Sequence, residues 1–360
     1  MKKLLILLFA LAICGLNSSL DFKTVKTPFD INYCGATISS GSWTIGSGGN
    51  YSTQAAFSGA LATALSAECS GQIISNFADS PVSYPVITFS TCVLHIYTSA
   101  SCRLTGATIS FDTTKYYIYQ TAGGSCMTLN PSQPLFFSCE GVQMWSHLTT
   151  NQFPYVFSLT YSDAGNNIWL SNCVLRFDKD GSTHSYSGNI LSANAYGVWH
   201  ISNCLIYGMK ILGSSNGCSL GYASAGSTMY HCVISSCDVG VVGASNITAT
   251  DCICQGCGTN WSGSYNAASS YNSCDAGTPP GTNGTTGSVL FVNTTAGSED
   301  FHLQSGDTIA KSSGTAISGQ TSDIVGTSWA GTPSKGAYEY VSGGVTVTPT
   351  FTGQIFRLGW

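Results

Sequence analysis

Four segments of the chain carry the same short pattern, a polar residue, a cysteine and two mostly apolar residues. They are Asn172-Cys173-Val174-Leu175, Asn203-Cys204-Leu205-Ile206, His231-Cys232-Val233-Ile234 and Asp251-Cys252-Ile253-Cys254. The cysteines lie 31, 28 and 20 positions apart (173 to 204, 204 to 232, 232 to 252). A constant core motif with drifting spacing suits a solenoid whose coils carry loops of unequal length. Each coil would add one strand to a parallel sheet, about 4.8 Å above the last. The spacing therefore predicts a structural ladder of Cys173, Cys204, Cys232 and Cys252 inside the coil, where a small apolar thiol fits a narrow interior. Asn172, Asn203, His231 and Asp251 would share the adjoining turn, where Asn tolerates unusual backbone angles and bonds along the stack. Cys237 and Cys257 extend the match in the last two copies, and Thr91-Cys92-Val93-Leu94 reads as an earlier one.

The rest of the pattern agrees with an all-β chain. Short β-branched and aromatic runs, such as Val86-Ile87-Thr88-Phe89, Tyr116-Tyr117-Ile118-Tyr119 and Asn167-Ile168-Trp169-Leu170, alternate with Gly, Ser and Asn. One helix is expected. Phe57, Ala60, Leu61, Ala64 and Leu65 fall on one helical face, and Ser52 or Thr53 can cap its start.

The stacked Asn-Cys pattern resembles the right-handed parallel β-helix superfamily, the pectate-lyase-like fold. Two end features strengthen the resemblance. Trp43-Thr44-Ile45-Gly46-Ser47-Gly48-Gly49-Asn50-Tyr51 followed by a helix is similar to the usual start of such coils, where the helix caps the open end. Asp300-Phe301-His302-Leu303, Asp323-Ile324-Val325-Gly326 and Gly336-Ala337-Tyr338-Glu339 resemble the closing coils of exported or phage-borne members. The resemblance implies a right-handed parallel β-helix solenoid over 43–340 with an N-terminal capping helix. These motifs are architectural and say little about chemistry.

Residues 1–18 read as a secretory signal peptide, with Lys2 and Lys3 before an apolar run too short to span a bilayer. A small-x-small site at Ala10-Leu11-Ala12 suits cleavage; a lipoprotein signal ending at Cys14 leaves a lipid anchor open, although Ile13 is larger than that motif prefers. Residues 19–42 read as an N-terminal extension, and 341–360 as a linker with an apolar tail ending in Phe356 and Trp360. The expected location is outside the cell or on a cell or virion surface. Charged residues are 8% of the chain against 43% hydrophobic, so a large core is affordable and no basic stripe invites nucleic acid.

The chemistry expected is thin. Arg176, Asp178, Lys179, Asp180 and His184 are the densest charged group and the candidate catalytic set. A glycoside hydrolase needs two carboxyls about 5–9.5 Å apart, and a lyase on this fold uses Ca²⁺ beside a uronate. The carboxylates here do not stack into a pair, so Asp178-Lys179-Asp180-Gly181 also reads as a solvated loop, and Ca²⁺ has weak support. No metal site is expected: Cys254-x-x-Cys257 is a single pair where structural zinc needs two. Disulfides Cys232–Cys252 and Cys237–Cys257 are left open, as is no bond at all. Tyr186, Tyr196 and Trp199 are candidate ligand-binding aromatics. Val174, Leu205, Val233 and Ile253 follow the inward cysteines and should form an outer apolar stripe, covered by loop 178–197 or another subunit. Three function classes follow: a non-catalytic rod of adhesin or virion-surface type binding glycan or protein, a polysaccharide lyase or glycoside hydrolase, and a structural subunit forming a homo-oligomer through the C-terminal tail.

Overall fold

The computed structural model describes residues 41–61, 69–84, 93–104, 110–121, 124–130, 136–149, 154–160, 165–179, 188–192, 196–210 and 215–342. The signal-like segment, 19–40 of the N-terminal extension and 343–360 of the tail lie outside them, and the first strand already starts at Gly41 within the expected extension. The chain winds as a parallel β-helix with three faces. Sheet A has eight strands running from Gly41–Ile45 to Ile247–Thr250. Sheet B has nine, from Ala78–Asp79 to Thr285–Thr286, and sheet C has seven, from Val82–Tyr84 to Thr259–Gly263. One coil is Asn167–Ser171 in sheet A, Val174–Lys179 in sheet B and Asn189–Ser192 in sheet C; the next returns to sheet A at Val198–Ser202. Every pairing within these sheets is parallel and in register.

The corner between sheets A and B explains the repeat. Asn172, Asn203, His231, Asp251, Tyr271 and Asn283 all have φ between 48° and 57°. Left-handed backbone costs an ordinary residue about 1–2 kcal/mol, and Asn or Asp lowers that cost by bonding locally. The preceding coil meets the same demand with Gly141, at φ 71°. Immediately after the corner, Cys173, Cys204, Cys232 and Cys252 point inward and are fully buried. Each thiol donates to the carbonyl two residues earlier: Cys173 to Ser171 at 3.3 Å, Cys204 to Ser202 at 3.2 Å, Cys232 to Tyr230 at 3.2 Å and Cys252 to Thr250 at 3.4 Å. The column ends at Asn272, whose Oδ1 accepts from the Cys252 N–H at 3.0 Å and whose amide donates to Ala249 and Pro280 carbonyls.

Coil length falls because the corners shrink. The link from sheet B to sheet C is nine residues after Lys179 (180–188) and three after Gln255 (256–258). The segment Val93–Thr98 belongs to sheet A, paired with Phe136–Glu140, so Thr91–Leu94 is not a copy of the Asn-Cys corner.

The helix, α1 (Gln54–Ala60), starts where expected: Thr53 Oγ1 accepts from the Ala56 N–H at 3.1 Å. It stops at Ala60, short of the predicted face, with Leu61 already extended. Gly59 in the last turn lowers helix propensity. Phe57 is fully buried in the main core and meets Tyr51 edge-on at 5.5 Å.

Residues 288–340 do not add closing coils. They form an antiparallel pair, Phe291–Asn293 with Asp300–Leu303, followed by turns, and lie on the outer face of sheet B. There Val174, Leu205, Val233 and Ile253 are buried with Phe291, Phe301, Ile324 and Tyr338 in a second apolar core. The stripe is thus covered by the C-terminal segment of the same chain; 180–187 and 193–195 of loop 178–197, the expected cover, lie outside the described residues. The resemblance of these motifs to terminal coils misled because their apolar spacing suits any strand that packs on an apolar face. Hydrogen bonds join the two layers: the Gln255 side-chain amide exchanges two bonds with the Val289 backbone, the Asp251 carboxylate accepts from Thr315 N–H, and the Gly336 N–H donates to the Asp251 carbonyl.

Candidate functional site on the outer face of sheet B

On the earlier coils of sheet B the covering layer thins: Trp145 and Tyr117 pack against its apolar core but stay partly exposed. Residues 110–112 continue the layer: Ser110 N–H donates to the Glu299 carbonyl, and Gln143 clamps Asp112 through both its backbone N–H and its carbonyl. Beside this edge, alternate outward residues of three adjacent strands converge. Tyr119 stands in register with Trp145 and Trp145 with Arg176, while His147 stands in register with Asp178.

Asp178 is the hub. Its Oδ1 accepts from Trp145 Nε1 at 2.9 Å and lies 2.5 Å from His147 Nδ1, and its Oδ2 accepts from Arg176 Nη2 at 3.0 Å. The Arg176 guanidinium lies over the Trp145 ring, 4.6 Å from its centroid, and 5.6 Å from that of Phe111. Tyr119 leans on Trp145 with centroids 4.7 Å apart. Partial burial, followed by the nearby Asp178 charge, pushes the Tyr119 phenol up. Arg176 is nearly enclosed, whereas Asp178 and His147 keep about a third of their side chains exposed, 31% and 28%.

Of the sequence-derived catalytic set, Arg176 and Asp178 come together here. Asp180 and His184, with Tyr186 of the ligand-binding set, lie outside the described residues. Trp145, His147, Tyr119 and Phe111 were not anticipated. The signal that could have found them is the register of the preceding coil. If Gly141-Val142 is set against Asn172-Cys173, Trp145 and His147 fall opposite Arg176 and Asp178. Neither Gly nor Val matches the motif, so the copy is silent to pattern matching.

Trp199 cannot stack on an external ligand. It is fully buried inside the coil, edge-on to Phe157 at 6.2 Å. The strand alternation that turns Trp169 outward turns its neighbour in the next coil inward, because Ile168 and not Trp169 is the register partner of Trp199. Tyr196 is more than half exposed and pairs edge-on with Tyr222, also more than half exposed, at 6.0 Å. On sheet A, Trp169 stacks between Phe136 and His200, with centroids 6.4 and 5.3 Å away.

The chain matches no protein-family profile, no curated protein and no solved structure. The site must therefore be read from its own chemistry. Among the described residues, one carboxylate, Asp178, sits in the sheet B cluster, and three donors already occupy it. Among the described residues, no group of three or more His, Cys, Asp or Glu side chains is arranged to hold a metal ion. The cluster can offer aromatic surface, the Tyr119 hydroxyl and the second ring nitrogen of His147 to a neutral polar ligand.

Proposed function

We propose that the chain is a non-catalytic, surface-displayed or secreted rod of the pectate-lyase-like kind, which binds a glycan on the outer face of sheet B. The observation that carries this is the placement of Tyr119 and Trp145, both partly exposed, beside a His147–Asp178–Arg176 network on an outward sheet face. A pyranose has an apolar C–H face and a rim of hydroxyls. Aromatic surface suits the first, and fixed polar side chains suit the second. The network fixes Trp145 and His147 before any ligand arrives, which lowers the ordering cost of binding. The signal-like N-terminus and the sparse charge favour display outside the cell.

Cleavage of the glycan is the weaker alternative. Hydrolysis asks for two carboxyls on either side of the bond, and Asp178 is engaged by His147, Trp145 and Arg176. An assembly subunit is weaker still at the outer stripe, whose apolar side chains are already buried under the chain's own cover.

The test is a glycan array with a parallel depolymerisation screen on the purified chain and on Trp145→Ala, His147→Ala and Tyr196→Ala/Tyr222→Ala variants. We expect binding that the first two variants lose and the tyrosine double variant keeps, with no shortening of any polysaccharide. Loss only in the double variant would move the site to the Tyr196–Tyr222 corner. Release of reducing ends or of unsaturated uronate would replace binding with catalysis.

A further inference from the structure

Thirteen cysteines fall among the described residues, all as free thiols, and twelve of them are buried. Cys257 is the exception. It follows the left-handed corner at Gly256 (φ 72°), between the sheet B strand Ile253–Gln255 and the sheet C strand Thr259–Gly263. Its sulfur lies 3.9 Å from that of Cys254. Cys237, at the equivalent corner one coil earlier, hydrogen-bonds to the same sulfur. Gly240 makes the meeting possible. A β-carbon there would lie 2.1 Å from the Cys254 sulfur and 3.2 Å from that of Cys257. The missing side chain leaves the space in which the two sulfurs face each other.

We propose that Cys257 is a thiol–disulfide exchange site, with Cys254 as the resolving thiol and small-molecule disulfides as the oxidant. Among the described cysteines it alone is accessible; Cys173 of the ladder also has thiols nearby that favour its thiolate, but it is fully buried, so only Cys257 joins a favoured thiolate and a second thiol to access from solvent. Hydrogen bonds from Cys237 and then Cys254 pull the Cys257 pKa down, whereas burial pushes Cys126, Cys218 and Cys232 up. In the first step, the Cys257 thiolate attacks one sulfur of a disulfide RSSR. A Cys257–SR bond forms and RS⁻ leaves. Cys254 then gives its proton to that RS⁻ and attacks the Cys257 sulfur, and the second RS⁻ departs with a proton from water. Two protein thiols are oxidised to one Cys254–Cys257 disulfide, and RSSR is reduced to two RSH. The bond would clasp the Gly256 corner. Cys-x-x-Cys thus acts as a dithiol here, not as half of a zinc site.

The experiment uses the full chain with Cys14, Cys34 and Cys92 replaced by serine, since these three lie outside the described residues. It is treated with oxidised glutathione or an aromatic disulfide, trapped by alkylation and mapped by peptide mass spectrometry. We expect a first phase that releases two RSH per chain and yields a Cys254–Cys257 peptide, on the order of tenfold faster than any buried cysteine reacts. Cys254→Ala should stop at one RSH with the mixed disulfide retained on Cys257. Cys257→Ser should lose the fast phase while circular dichroism stays unchanged. Should Cys257→Ser misfold, Cys254→Ala still decides the matter, because a stable mixed disulfide requires an accessible Cys257. First reaction at a ladder cysteine, a Cys237–Cys257 peptide, or no fast phase in the folded chain would overturn the assignment.

Discussion

Asn203 donates its side-chain amide both to Asn172 Oδ1, one coil below, at 3.2 Å and to the Ser322 carbonyl of the C-terminal cover at 2.8 Å. One side chain therefore ties coil to coil and coil to cover, from a residue at φ 51°. Two effects can be separated by substitution. Asn203→Ala places an ordinary β-carbon in the left-handed region, about 1–2 kcal/mol, and also loses both hydrogen bonds, about 1 kcal/mol each. Asn203→Gly loses only the bonds. We expect urea denaturation to show Asn203→Ala less stable than Asn203→Gly by about 1–2 kcal/mol. Equal stabilities would mean that the corner conformation is not what the Asn supplies.

The cover is held on sheet B chiefly by the apolar stripe. Leu205 is fully buried there, and Tyr207 of the same strand meets Phe301 edge-on at 5.0 Å. Truncating a buried Leu costs about 2–5 kcal/mol. The damage from Leu205→Ala should appear first as proteolytic cutting within 288–340, with the coil surviving as a protected core. Cutting that begins in sheets A or C would show that the cover is not a separately yielding layer.

Buried acids beneath the cover give a pH dependence of defined sign. Burial pushes Asp251 up to about 7, partly offset by the Thr315 N–H and then Lys335. Burial likewise raises Asp323 to about 7, although N–H groups of Glu339, Thr327 and Val325 favour its ionised form. A carboxyl whose pKa is higher folded than unfolded binds its proton more tightly in the fold. Its stabilising contribution is present at low pH and is lost as pH rises from about 4 through 7. His231 acts oppositely: burial lowers it to about 4, so stability rises with pH between about 4 and 6.5. Two acids outweigh one histidine. Thermal unfolding should therefore give a lower Tm at pH 8 than at pH 5.5, by roughly a few degrees. Asp323→Asn should flatten that slope, and a Tm that climbs steadily from pH 5.5 to 8 would contradict it.

Asp178 anchors the glycan site, so its two obvious variants should diverge. Asp178→Ala strands the Arg176 guanidinium and the Trp145 N–H, a loss of about 1–3 kcal/mol. Asp178→Asn keeps an acceptor for Trp145 but no charge for Arg176 or His147. We expect both variants to weaken glycan binding on the array, with Asp178→Asn staying closer to wild type in denaturant midpoint. Full binding by the alanine variant would show that the network does not position the aromatic pair.

The solenoid was legible because the corner imposes a residue type. A left-handed backbone in each coil selects Asn, Asp or Gly, and the narrow interior beyond it selects Cys; Asn172-Cys173 and Asn203-Cys204 print both demands in order. The site was only half legible. Arg176 and Asp178 stood out as charges in a chain with few, but their partners come from a coil whose corner is Gly141-Val142. Trp199 was misjudged because one position of register decides whether an aromatic faces solvent or core.

What the sequence settled by itself is the local grammar: extended strands, left-handed corners and inward thiols, each a constraint on one or two adjacent residues. What only the tertiary structure decided is which faces meet. Residues 288–340 return across up to a hundred or more positions to cover Leu205 and Val233, and Asp178 finds His147 from 31 positions away. Apolar matching and strand register act through space, and neither leaves a mark at fixed spacing along the chain.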